Sequence, residues 1–251
     1  MSRHPLGDLL RPCGLERRIL ALRVALLVIV AAWPAAARSQ GVDPQLAQAI
    51  GWYTGTLGRV DDTRAHALLL EAAADGDAMS RMWLARCYSR GRMKFEPDAT
   101  KAAAIAAEVI GQIQRLADTG VTEAVFLMGT AYDEGLGVAA DPAVAVRWFQ
   151  RAADADHMLA QHNLGNAYAD GRGVPQNDAM AVQWWRKAAE AGDAIPQLRL
   201  ARMYEEGRGV AKDLTIATEW YRRAAERGNA QAATALRKIE TPGCRSDRQL
   251  P

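Results

Sequence analysis

The sequence predicts an all-α fold: an α/α superhelix, or solenoid, of stacked antiparallel helix pairs, with about five repeats and a capping helix. Three observations carry this. A twelve-residue pattern returns at 127–138, 163–174 and 199–210. Its central Tyr132, Tyr168 and Tyr204 stand 36 residues apart, a period found in helix-pair solenoids. The composition is Ala-rich, with only 3 Phe beside 7 Trp, which suits close-packed helices better than sheets.

Taken in order, residues 1–37 read as an export signal. Arg17, Arg18 and Arg23 precede the apolar run 24–32, Pro34 breaks any helix, and Ala35-Ala36-Ala37 offers small residues to a peptidase. The run is short for a membrane span, which needs about 20 residues, so no stable membrane insertion is expected once the signal is removed. An uncleaved N-terminal anchor is the alternative. Cys13 precedes the run and does not fit a lipid-bearing position. Without residues 1–37, 26 basic residues face 27 acidic ones. Nothing in that near-neutral balance asks for nucleic acid as a partner.

A short linker, 38–43, leads into the repeats. Residues 44–76 and 77–120 read as degenerate units, and 121–156, 157–192 and 193–228 as regular ones. Tyr88 and Tyr132 stand 44 apart, eight more than the regular period. That excess fits two further helical turns at 3.6 residues each, placed around 109–113. Residues 229–240 supply a lone, more polar first helix as a cap, and 241–251 read as an aperiodic, fraying tail.

One unit explains the rest. Leu164, Gly165 and Tyr168 share a face of the first helix, and Gly165 lets the partner helix approach. The Gly-x-Gly-Val turn reverses the chain, and Asp141, Asn177 or Asp213 caps the second helix. Ala181, Trp184, Ala188 and Ala189 form its inward stripe, with the Trp filling what the alanines leave open. No single pair buries both faces, so the units stack.

The order Leu-Gly-x-x-Tyr-x-x-Gly-x-Gly-Val, then Ala-x-x-Trp, then Ala-Ala-x-x-Gly, resembles the Sel-one-like repeat, a relative of the tetratricopeptide repeat. Residues 121–228 match well and the flanking units loosely. The resemblance implies a right-handed superhelix and an adaptor role in signalling, secretion or envelope assembly. Some exported relatives carry a disulfide in every repeat and are linked to penicillin binding. This chain lacks those cysteines. Cys87 reads as a small buried helix residue, and a bridge to Cys244 requires the tail to fold back.

Catalytic readings find little support. Gly135-Leu-Gly137, Gly171-Arg-Gly173 and Gly207-Arg-Gly209 begin like a dinucleotide fingerprint, but Ala140, Gln176 or Lys212 holds the sixth place and no strand precedes. His157 and His162 near Asp154 and Asp156 are a weak metal candidate, since a spacing of five splits them between faces. Ser80, Ser89 and Ser246 sit in no nucleophile motif. No catalytic residue, metal or cofactor is assigned.

The concave face remains. By analogy with the related repeat, the first helices line it. Arg86, Thr130, Asn166 and Arg202 form one exposed column. Ser89, Asp133, Ala169 and Glu205 form the next, beside Arg90, Glu134, Asp170 and Glu206. Met82, Phe126, His162 and Leu198 supply apolar anchors. Together they predict a groove for a protein partner from the envelope or a signalling system. The expected protein is a non-catalytic interaction adaptor in the periplasm or secretory space. The rival is a cell-wall or β-lactam-binding hydrolase, like the cysteine-rich relatives.

Overall fold

The computed structural model describes residues 41–240, and among these it is all-helical. The expected signal segment, the residues 38–40 of the linker and the tail with Cys244 lie outside the described residues. Eleven helices form five antiparallel pairs and one more helix. They are α1 (Pro44–Thr54), α2 (Asp62–Ala74), α3 (Ala78–Arg90), α4 (Ala99–Asp118), α5 (Thr122–Glu134), α6 (Pro142–Ala153), α7 (Met158–Asp170), α8 (Asp178–Glu190), α9 (Ala194–Glu206), α10 (Leu214–Glu226) and α11 (Ala230–Glu240). Each helix packs on its chain neighbours.

The same local chemistry builds every pair. Each first helix ends on a left-handed glycine: Gly55, Gly91, Gly135, Gly171 or Gly207. Each second helix starts on a side-chain cap from Asp61, Asp98, Asp141, Asn177 or Asp213, which occupies otherwise orphaned amides. The amide of that capping residue donates to a carbonyl on the preceding helix, Trp52, Tyr88, Tyr132, Tyr168 or Tyr204, at 2.8–2.9 Å. The recurring tyrosine therefore marks the point where the turn is stitched back to its helix. In the turn itself, a Cβ on Gly209 or Gly173 would strike the carbonyl of Asp178 or Pro142 in the preceding second helix. Only glycine permits that approach.

The second degenerate unit absorbs its extra length as expected. Helix α4 has 20 residues where α8 and α10 have 13, and the α3–α4 connection takes the eighth. The stripe of Ala181, Trp184, Ala188 and Ala189 is buried as expected, and Gly165 receives a side chain of the partner helix. A Cβ there would meet the Trp185 ring, and one on Gly129 would lie 2.5 Å from Phe149. The inward aromatic row is thus Phe149, Trp185 and Tyr221, all nearly fully buried. Trp148, Trp184 and Trp220 sit one residue earlier, each with a basic side chain three positions on lying over its ring: Arg151, Lys187 and Arg223 at 4.4–5.1 Å.

The superhelix closes on itself. The Val60 amide donates to the Arg227 carbonyl at 2.9 Å, and Arg227 Nη1 donates to the Gly55 carbonyl at 2.7 Å. The turn after α1 is thereby hydrogen-bonded to the turn after α10.

Candidate functional site

Successive first helices pack on one another through their aromatic side chains. Tyr53 of α1, Trp83 of α3 and Phe126 of α5 follow one another ring to ring, with centroids 6.4 and 5.9 Å apart. The four apolar-column residues Met82, Phe126, His162 and Leu198 are 0, 0, 9 and 5% exposed. They do not line an open groove. Two of them, Phe126 and His162, meet the residue that heads the next first helix. Phe126 stacks on the His157 ring at 4.6 Å, and His162 Nδ1 lies 2.8 Å from Asp193 Oδ2. His157 and Asp193, one period apart, both head their helices. His157 Nε2 lies 2.9 Å from Glu123 Oε2, while Trp83 Nε1 donates to Glu123 Oε1 at 2.6 Å. Burial alone would raise the Glu123 pKa, but these two partners hold it below its ordinary value. The histidines thus join successive repeats.

The column of Arg86, Thr130, Asn166 and Arg202 is not uniformly exposed. Arg86 and Thr130 are buried, Asn166 is half-buried and Arg202 is exposed. Thr130 Oγ1 donates to the Phe126 carbonyl, and Asn166 accepts from Trp185 Nε1 at 3.1 Å. Arg86 lies over Trp83 and Phe126, 4.5 and 5.2 Å from the ring centroids, and burial lowers its pKa. The expected exposure of Arg86 and Thr130 is therefore corrected.

The neighbouring acids are partly spent on joining repeats. Arg92 grips Glu134 through two nitrogens at 2.6 and 3.2 Å, with Arg90 Nε 3.6 Å away. Arg172 pairs with Asp133 at 2.5 Å. Asp170 and Glu206 are exposed, and Glu205 accepts from the Tyr221 hydroxyl.

The open part of this surface lies at the C-terminal end, between α9 and α11. A groove of about 610 Å³ is lined by Arg202, Glu205, Gln231, Thr234, Lys238 and Ile239, among others. Arg202 Nη2 donates to Gln231 Oε1 at 3.1 Å. Half-buried Ala235 and Ile239 give apolar contact, and exposed Arg202 and Lys238 add positive charge. Lys238 and Thr234 escaped the sequence reading although the signal was present. One more period along the columns, Arg202 leads to Lys238 and Leu198 to Thr234. A second open surface lies on α10, where Leu214 and Ile216 are 51 and 37% exposed. No further second helix follows to cover it among the described residues.

Candidate nucleophiles are occupied in structure. Ser80 is fully buried and its hydroxyl donates to Asp77 Oδ2 at 2.7 Å. Cys87 is buried and unpaired, and burial pushes its thiol up to about 12. The Gly-x-Gly segments are repeat turns in which both glycines have positive φ.

Five segments, 46–77, 78–105, 122–157, 159–193 and 197–229, match the family model of the Sel1 repeat. The chain is similar in structure to c5321, a protective antigen present in uropathogenic Escherichia coli strains displaying an SLR fold, with 28% identity and a TM-score of 0.53 over 86% of this chain and 52% of that one. It is also similar to a Sel1 repeat protein from Oxalobacter formigenes, with 34% identity and a TM-score of 0.52 over 78% of this chain and 55% of that one. The chain thus spans about half the length of these solved relatives. No curated protein matches it.

Proposed function

The chain belongs to the Sel1 repeat family, whose members are generally protein-interaction modules without catalysis, and we propose that it is a non-catalytic adaptor that binds a partner protein through the groove between α9 and α11. The observation that carries this reading is the opening of the first-helix layer there. At Arg202 and Lys238 the column that is buried at Arg86 and Thr130 reaches solvent. Ala235 and Ile239 would receive an apolar side chain, and the two cations would receive carboxylates beside it. Arg90, Asp170 and Glu206, all exposed, would add contacts along the ends of the first helices.

Export to the periplasm or secretory space is part of the proposal and rests on the residue order of 1–37. No helix of the described residues is long and apolar enough to cross a membrane. The partner expected from that location is an envelope or signalling protein. The rival hydrolase reading draws no support from Ser80, which is committed to a helix cap.

A photo-crosslinking residue at position 234, expressed in the native host, tests the reading. A discrete protein adduct is expected from position 234 and not from position 147 on α6, with the mature chain starting near Arg38. An adduct only at position 147, or none at either, overturns the groove assignment. A mature terminus at Met1 overturns the export assignment alone.

A further inference from the structure

We infer that His157 is a proton-operated cap: a proton taken up on its Nδ1 uncaps helix α7 at the joint between the units 121–156 and 157–192. The basis is a pair of bonds that the ring makes at once. The Ala160 amide donates to Nδ1 at 3.2 Å, so that nitrogen presents a lone pair and carries no proton. Nε2 then holds the ring's one proton and donates it to Glu123 Oε2 at 2.9 Å. The ring is therefore neutral, in the Nε2–H form, and it lies stacked on Phe126 at 4.6 Å.

The equivalent positions show what sets His157 apart. Asp77, His157, Asp193 and Asn229 each precede a first helix and accept a backbone amide of its first turn. Asp and Asn oxygens remain acceptors from pH 8 to pH 5. Imidazole is the side chain that ordinarily gains a proton in that interval. On His157 the proton goes to the capping nitrogen, because Nε2 already has one. Nδ1–H would then face the Ala160 N–H, donor against donor. A positive charge would also stand at the positive end of the α7 dipole. Either the ring turns or the first turn of α7 moves away, and in both cases the Ala160 amide loses its acceptor.

The surroundings pull in both directions. Glu123 of α5 offers a carboxylate to the charged ring, so a proton strengthens the α5–α7 contact as it removes the α7 cap. Arg86 of α3, whose field also reaches Glu123, opposes the added charge. Asp154 and Asp156, in the turn that enters α7, are exposed, and Asp154 accepts from Gln150. His162 provides an internal contrast. Its Nδ1 lies 2.8 Å from Asp193 Oδ2, while the Ile195 amide donates to the other oxygen, Oδ1, at 3.0 Å. Charging His162 leaves the α9 cap in place.

The test follows the full chain by nuclear magnetic resonance between pH 8 and pH 5. At pH 8 the ring ¹⁵N spectrum of His157, assigned by its loss in His157→Asn, should show a bare Nδ1 and a protonated Nε2. As the ring takes up its second proton, protection of the Ala160 amide, corrected for intrinsic exchange, should fall about fivefold or more. Protection at Ile195 should stay level. In His157→Asn, which keeps a capping oxygen, Ala160 should be equally protected at both ends of the range. A protonated Nδ1 at pH 8, a ring that takes up no proton by pH 5, or Ala160 protection that holds while the ring is charged would overturn the inference. Parallel loss at Ile195 would overturn it too, since that marks general acid unfolding.

Discussion

Arg227 and Gly55 meet across the superhelix: the guanidinium Nη1 donates to the glycine carbonyl at 2.7 Å although 172 residues separate them. The Val60 amide completes the contact on the Arg227 carbonyl. Arg227→Ala should cost about 1–2 kcal/mol, the range of a partly exposed hydrogen bond to a charged group. Hydrogen exchange at the Val60 amide should quicken with it, because the turn loses its tether. Unchanged exchange at Val60 would mean that the closure does not depend on the side chain.

Gly165 makes room for Trp185. Gly165→Ala places a methyl against the indole ring, so overpacking of about 1–3 kcal/mol should outweigh the gain of up to about 1 kcal/mol in helix propensity. Chemical denaturation checks this. Combining it with Trp185→Ala should remove the clash, so the double variant should lose less than the sum of the singles.

Glu123 links stability to acid. Its pKa in the folded chain lies below the ordinary 4.5. The associated stability is therefore fully present above 4.5 and is lost as pH falls through the folded value. Melting curves should show Glu123→Gln with a shallower acid limb than the wild type. An equally steep limb would assign acid loss to other carboxylates.

Cys87 should resist modification. With its thiol pushed up to about 12 by burial, hardly any thiolate exists at pH 8, and thiolate is the reacting species. Peptide mass spectrometry after iodoacetamide should find Cys87 unmodified in native protein and modified after denaturation. Rapid native modification would contradict its burial.

The repeat-borne part of the fold was legible because each feature recurs with a physical cause: the tyrosine at the stitching carbonyl, the glycines at tight turns, the Asp or Asn at each cap. The 44-residue step also announced a longer α4. The residue over Gly165 was not legible, because adjacent aromatics, Trp184 and Trp185, both fit a helical stripe within one position and both are buried. Closure was hidden, since Arg227 and Gly55 form one contact between distant units and no periodicity reports it. The predicted column was right in register and wrong in exposure at Arg86 and Thr130, because spacing reports which positions are equivalent and not how deeply each one lies. Its open end, Arg202 and Lys238, needed only one further step of the same period.

The most direct test of the account is the affinity of the position-234 crosslinked partner for Arg202→Ala/Lys238→Ala, compared with Arg186→Ala/Lys187→Ala on α8. Exposed charges contribute about 0–1 kcal/mol to stability, so both double variants should melt near the wild type. The groove pair should weaken binding about tenfold or more, as removal of interface cations does, and the α8 pair should leave it nearly unchanged. Wild-type affinity in the groove pair, with loss in the α8 pair, would contradict the account and place the binding surface on the layer of second helices.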